Sequence, residues 1–295
     1  MTTKYTKKFY DRQVRMSVQS AQGVIPHLLS VYKPSSVVDV GCGLGSWLSV
    51  FKEHGVSDIM GLDGAYVRKD QMLISAATEF AATDLSRPVI LPRRYDLAVS
   101  MEVAEHLPSH RAESFIQDLV KLSDVVLFSA AIPFQGGTGH VNENWLEYWA
   151  RLFMQNGYRV SDFLRPLIWN DSNIGSWYRQ NLLVFYNEKN QDLHGLFSMK
   201  SDSGFPLSLI HPEFFMWCCT RHQPHLSRMY VRDCEYFRGV VSSFQQGTPL
   251  PENNPMYGRE YDKDVFRKER IKYRIFRTKS NIVRYFSKIL SKKEK

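Results

Sequence analysis

A parallel, doubly wound α/β sheet is the fold class that this 295-residue chain predicts. Three observations point to it. The apolar run from Val37 to Val40 passes straight into glycines and then into a helical pattern. Strand-like and helix-like segments then alternate as far as residue 187. The first three strand-like segments each carry an acid at or near their carboxyl ends: Asp39, Asp63 and Asp84. Such alternation sandwiches a sheet between helices and leaves ligands at the carboxyl ends of the strands.

Residues 9–32 predict N-terminal helical structure, with Pro26 interrupting or restarting it. After the glycines, Trp47, Leu48 and Phe51 recur at helical spacing. "DIMGLD" (58–63), "EFAATDL" (79–85) and "YDLAVSM" (95–101) predict the second, third and fourth strands. "AESFIQDLVKL" (112–122) predicts a helix and "DVVLFSAAI" (124–132) a fifth strand. "NENWLEYWARLFMQNG" (142–157) is an amphipathic helix closed by Gly157. "YRVSDFL" (158–164) and "NLLVFYN" (181–187) complete the set. Four parts follow: a helical segment over 1–34, the α/β body over 35–187, an aromatic-rich cap or appendage over 188–258, and a basic tail over 259–295.

Composition excludes several classes. A hydrophobic fraction of 43% belongs to a globular chain. No apolar run has the length of a membrane span, and the first residues hold no apolar signal core, so a cytoplasmic chain is expected. Cys42, Cys218, Cys219 and Cys234 form no C-x-x-C pair, which argues against a disulfide framework or a common zinc site. Cys218, Cys219, His222 and His225 lie close together, but "FFMWCCT" reads as small residues on an aromatic face. The net charge of +8 is uneven. Residues 259–295 hold 14 Lys/Arg against 5 Asp/Glu, so the body is almost neutral.

"DVGCGLG" (39–45) is the most informative stretch. A glycine turn after a first strand lets a nucleotide-like ligand approach the backbone. The spacing is G-x-G-x-G, and Asp39 stands two residues before the first glycine. A pyrophosphate would be repelled by that carboxylate; a cation would be attracted. S-adenosylmethionine, with its sulfonium and ammonium groups, is the complementary ligand. Asp63 can accept ribose hydroxyls. Asp84 can accept the adenine amino group, with Leu85 beside the ring.

With "VVDVGCGLGSWL", "GLDG", "ATDLS" and "YDLAVSMEVAEHL" in this order, the sequence resembles the class I S-adenosylmethionine-dependent methyltransferases over residues 35–187. The resemblance implies a Rossmann-like seven-stranded sheet with the last strand antiparallel. It implies methionine-side contacts at Asp39, Gly41 and Gly43, with Cys42 and Gly45 in the same turn. It also implies ribose contact at Asp63 and adenine contact at Asp84 and Leu85.

"SMEVAEHLP" (100–108) follows the fourth strand, where the acceptor binds in this fold. Glu102, Glu105 and His106 have the i, i+3, i+4 spacing of one helical face. His140 follows the fifth strand in a glycine-rich loop. One reading makes Glu102, Glu105, His106 and His140 a divalent metal site, for Mg²⁺ or Mn²⁺. E-x-x-E-H with a later His is similar to methyltransferases of ubiquinone synthesis and of small-RNA 2′-hydroxyls. A second reading makes His106 or His140 a general base without metal, with Glu105 supporting. A third is structural, the acids facing a helix N-terminus.

Ionisable groups there favour an oxygen acceptor, because a hydroxyl needs a base or a metal and an amine does not. Trp177 and Tyr178 could stack on a sugar and Arg179 could hold a phosphate or carboxylate. "SAAIPFQGGTGHVNENWLEYWARLF" resembles a bacterial group associated with glycan and natural-product assembly. The expected function is methyl transfer to a sugar hydroxyl in cell-surface glycan or secondary-metabolite synthesis. Alternatives are a metal-dependent quinone, catechol or RNA 2′-O-methyltransferase, and a cofactor-binding scaffold without transfer activity. In the tail, Ile282, Val283, Phe286, Ile289 and Leu290 form a stripe flanked by cations, which predicts docking on an anionic membrane surface. No RNA-binding module accompanies it.

Overall fold

The computed structural model describes residues 7–198 and 207–215, with side chains from residue 14 onward. A helix, α1 (Lys7–Leu29), leads into β1 (Ser36–Val40), α2 (Ser46–Glu53), β2 (Asp58–Asp63), β3 (Phe80–Ala82) and β4 (Leu97–Met101). Then come α3 (Ala112–Leu122), β5 (Val125–Ser129), α4 (Leu146–Gln155) and β6 (Tyr158–Ser161). The last described elements include α5 (Leu164–Ile168), α6 (Ser176–Asn181), β7 (Leu183–Asn187) and α7 (Gln191–Ser198). The seven strands form one sheet in the order β3-β2-β1-β4-β5-β7-β6. β7 runs antiparallel to both β5 and β6, and the other pairs are parallel. The fold is the Rossmann-like seven-stranded sheet expected.

Both faces of the sheet are buried, which is why its central strands read as continuous apolar runs. Alternate residues divide between the faces. Val37, Leu97, Val99, Val125, Leu127 and Val184 join the core shared with α1 and α2. Phe128 and Phe185 face the other way and meet Trp149 and Phe153 of α4, the Phe153 and Phe185 rings stacking at 3.8 Å.

Two expectations need correction. Pro26 does not interrupt α1, which continues to Leu29 with buried Val24, Ile25 and Leu28 around the proline. The last strand does not start at Asn181: α6 ends on that residue and β7 begins only at Leu183. Packing continues past residue 187. α7 buries Leu193 and Phe197, and Phe197 lies in the same core as β7. Residues 207–213 are stitched to the body as well. Arg165 donates to the Leu207 carbonyl at 2.6 Å, Glu147 accepts from the Ser208 amide at 2.8 Å, and the His211 amide donates to Gln180 at 2.7 Å. The remainder of the predicted cap, the four-residue Cys/His group and the basic tail lie outside the described residues.

The link from β3 to β4 depends on one buried ion pair. Arg111 and Asp118 of α3 are each 4% exposed and bond directly. Arg111 also donates to the carbonyls of Leu85 and Arg87, and Asp118 accepts from the Val89 amide at 2.9 Å. Removing one partner strands a buried charge. Arg111→Ala is therefore expected to lower the unfolding free energy by about 3–5 kcal/mol, read from denaturant midpoints.

Candidate active site

The carboxyl ends of β1 and β2 build a cradle from backbone. Gly41 stands at φ 92° and donates to the Leu62 carbonyl at 2.7 Å. A Cβ there would lie 2.3 Å from Val103, so only glycine fits. Gly43, at φ 55°, borders open space: a Cβ would meet nothing within 4 Å. Cys42 lies between them, its Sγ packed against Gly61, and burial above all pushes its thiol pKa far up. It is a packing group and no nucleophile. Gly45 caps the start of α2 in a left-handed conformation.

Asp39 is buried, and its Oδ1 has no hydrogen-bond partner. Burial, and then the charge of Asp63, raises its pKa well above the carboxylate range. A carboxyl in that state suits an incoming cation, which supplies the missing partner. Asp63 accepts from the Gly43 amide at 2.8 Å, the Gly64 amide at 2.6 Å and the Tyr66 hydroxyl at 2.5 Å. Two of these donors are fixed backbone. The third is a side-chain hydroxyl. Asp84 is exposed and accepts from the Ser86 amide and hydroxyl, which lower its pKa, while Arg87 lies 3.4 Å away. Leu85 is half-buried and its carbonyl holds Arg111.

The cluster after β4 arises differently from the helical face that the spacing suggests. Glu102 has a left-handed backbone, φ 55°, rare for a residue with a side chain. Only Ala104–His106 then makes a short 3-10 turn. Because of this reversal, Glu102 turns away from the other two. Its carboxylate is held by Gln135 at 2.6 Å and by Asn181 at 3.4 Å. Glu105, His106 and His140 come together, with ligand atoms all within 4.8 Å of one another. The two imidazole rings sit 4.7 Å apart, edge to face.

Glu105 is fully buried; the amides of Glu105 and Ala131 lie near its carboxyl, but neither oxygen makes a hydrogen bond. Burial first, then the charge of Glu102, drives its pKa well above the usual range. Its carbonyl accepts from the amides of Val141 and Asn142, at 2.9 and 3.0 Å, which pins the loop after β5 over the cluster. His106 is solvent-exposed as a residue, but partial desolvation of its ring, and next His140, holds its pKa below the ordinary value, so its imidazole is neutral at pH 7. Asp63 also acts electrostatically on His106. Val103 fills the space over Gly41. The glycine turn and the Glu105 turn therefore touch, which places cradle and cluster at one edge.

Gln135, Asn181, Glu143 and Tyr66 serve the site without a sequence signal that marks them. Glu143 accepts from His140 Nδ1 at 2.9 Å, fixing the ring. The three residues of "WYR" lie in α6, in different surroundings. Tyr178 is buried edge-on to Trp47, its hydroxyl pKa pushed up to about 12 by burial and by Glu102. Arg179 is spent inside, on the Trp169 carbonyl at 3.0 Å and Glu213 at 2.5 Å. Trp177 packs against the same core. Tyr178 and Arg179 are buried in α6, and Trp177 is half-buried.

A mixed seven-stranded sheet with a cation-ready glycine turn defines a class I S-adenosylmethionine-dependent methyltransferase. Residues 15–173, more than half of the chain, match the methyltransferase domain family, and the chain belongs to it. Its cofactor is S-adenosylmethionine. Similar solved structures include magnesium protoporphyrin IX methyltransferase from Synechocystis PCC 6803 with bound SAM. It is 18% identical, with a TM-score of 0.45 over 64% of this chain and 87% of that one. The methyltransferase domain of bacterial CtHen1 is 22% identical, with a TM-score of 0.40 over 57% and 96%. An O-methyltransferase family protein from Burkholderia thailandensis is 14% identical, with a TM-score of 0.44 over 61% and 58%. No curated protein matches the chain.

Proposed function

We propose that the protein methylates a sugar hydroxyl, activated at Glu105, His106 and His140, in glycan or secondary-metabolite assembly. The observation that carries this reading is the buried Glu105 carboxyl, without a hydrogen-bond partner and within 4.8 Å of two imidazoles. A hydroxyl at neutral pH is a poor nucleophile until its proton is drawn away.

In this reading Asp39 and the Gly41–Gly45 turn hold the methionine end of the donor, and Asp63 holds the ribose. Asp84 and Leu85 border the adenine, once the Asp84 turn opens toward it. His106 is neutral and accepts the hydroxyl proton as oxygen attacks the methyl carbon and the sulfonium leaves as thioether. Glu105 stabilises the imidazolium that forms. The same donor set, one carboxylate and two imidazoles, fits Mg²⁺ or Mn²⁺. When bound, such an ion supplies Lewis acidity that lowers the hydroxyl pKa. Glu102 stands outside that set and holds the loop through Gln135.

The test is methyl transfer from labelled donor to a panel of pyranosides before and after chelation. Activity is expected to fall about 100-fold and to return with Mg²⁺ or Mn²⁺. Full activity in excess chelator reduces the site to base catalysis by His106. No transfer to any pyranoside, with transfer to a catechol or to RNA, removes the sugar.

Membrane association is a separate proposal. Among the described residues no helix is long and apolar enough to cross a membrane. The basic tail is proposed to dock on the cytoplasmic face of an anionic membrane. Deleting residues 279–295 is expected to abolish sedimentation with phosphatidylserine vesicles; unchanged sedimentation rules it out.

A further inference from the structure

The loop after β5 displays an aromatic ring under unfavourable conditions. Phe134 is 88% exposed, the most exposed large hydrophobic side chain among the described residues. Its backbone is left-handed, φ 68°, a strained state for an aromatic residue. Water contact and strain both oppose this arrangement, and neither is relieved by packing. The loop is nonetheless firmly held. Glu143 accepts from the Phe134 amide at 2.8 Å and the Gly136 amide at 2.7 Å. The same carboxylate fixes His140. The neighbouring Gln135 bonds Glu102, and the Gly139 backbone borders His106. Val141, 64% exposed, follows His140 directly.

We infer that Phe134, with Val141, forms the acceptor subsite and selects a ring with a flat apolar face beside the hydroxyl to be methylated. This inference rests on the proposed acceptor site. A pyranose face of C–H groups or an aromatic diol would lie on the phenyl ring. An open-chain polyol carries the same hydroxyls but no such face. Glu143 is a positioning residue here: it sets ring and imidazole from one carboxylate, so a bound ring has a fixed offset from His140.

The experiment places 4-fluorophenylalanine at position 134 and follows its ¹⁹F resonance in the full chain loaded with S-adenosylhomocysteine. Methyl β-D-glucopyranoside, 3,4-dihydroxybenzoate and sorbitol are titrated separately. A saturable shift with the pyranoside or the catechol, and none with sorbitol, is expected; the two ring probes distinguish a sugar from an aromatic acceptor. Phe134→Ala should weaken the responding ring probe at least tenfold and leave S-adenosylhomocysteine affinity unchanged. Phe134→Trp should restore ring binding. Equal shifts with sorbitol, or no shift from either ring while S-adenosylhomocysteine stays bound, overturns the inference. A shared loss of product binding in Phe134→Ala also overturns it, because the residue would then belong to the cofactor cradle. Phe134→Gly adds a control, since it removes strain and no buried area. Its Tm should hold or rise by about 2–4 °C. A fall of several degrees would mean that the ring supports the fold and is not a binding surface.

Discussion

Glu105→Gln is expected to cut methyl transfer about a thousandfold while leaving the protein as stable as the wild type or more so. The two effects share one cause. The carboxyl lies fully buried with neither oxygen paired. An amide of the same shape removes the acid without opening a cavity, so the fold loses no packing. Chemistry at the acceptor oxygen loses the carboxylate that stabilises a protonated imidazole or binds a cation, a loss in the range of general-base contributions. A thermal melt and a single-turnover transfer assay measure both. Undiminished transfer, or a large fall in stability, would make Glu105 a structural residue.

The second large effect lies at Asp39, and it is a pH effect. Burial raises this carboxyl's folded pKa above its unfolded value of about 3.9. Its contribution to stability is therefore fully present below the unfolded pKa and is lost as pH rises through the folded one. The protein without cofactor thus loses stability with rising pH at this residue. The cofactor reverses the sign, because its ammonium favours the ionised carboxylate. Binding should release a proton, and affinity should grow with pH, by up to about tenfold per unit, until the raised pKa is passed. Calorimetry of S-adenosylhomocysteine in buffers of different ionisation enthalpy detects that proton. Asp39→Asn should abolish the release and weaken binding about 10- to 100-fold. Equal heats in all buffers, with wild-type affinity in the variant, would show that Asp39 does not meet the ligand's charge.

Much of this architecture was legible in the sequence, because its causes are local. The glycine turn is written in Gly41, which Val103 leaves no room to replace. The central strands follow from apolar runs buried on both faces. The cluster was legible only in part. Glu105, His106 and His140 are chemically conspicuous, but their meeting depends on a left-handed Glu102. No periodicity encodes that reversal, so the helical face drawn from the spacing was the wrong geometry. Gln135 and Asn181, 33 and 79 residues from Glu102, hold it in place, and such partners are set by tertiary contact alone. The partners of "WYRQN" are likewise set by tertiary contact. Its aromatic and cationic composition suits a ligand, yet Glu213, 34 residues on, claims the arginine.

The proposal at the centre of this reading is that the methyl group passes to an oxygen held at Glu105, His106 and His140. The measurement that reaches it most directly uses donor carrying ¹³C in the methyl group, a pyranoside acceptor, and NMR of the product. The account predicts a new O-methyl carbon signal that His106→Ala reduces by two or more orders of magnitude. Label on nitrogen, carbon or sulfur instead, or an O-methyl signal that survives His106→Ala undiminished, contradicts it.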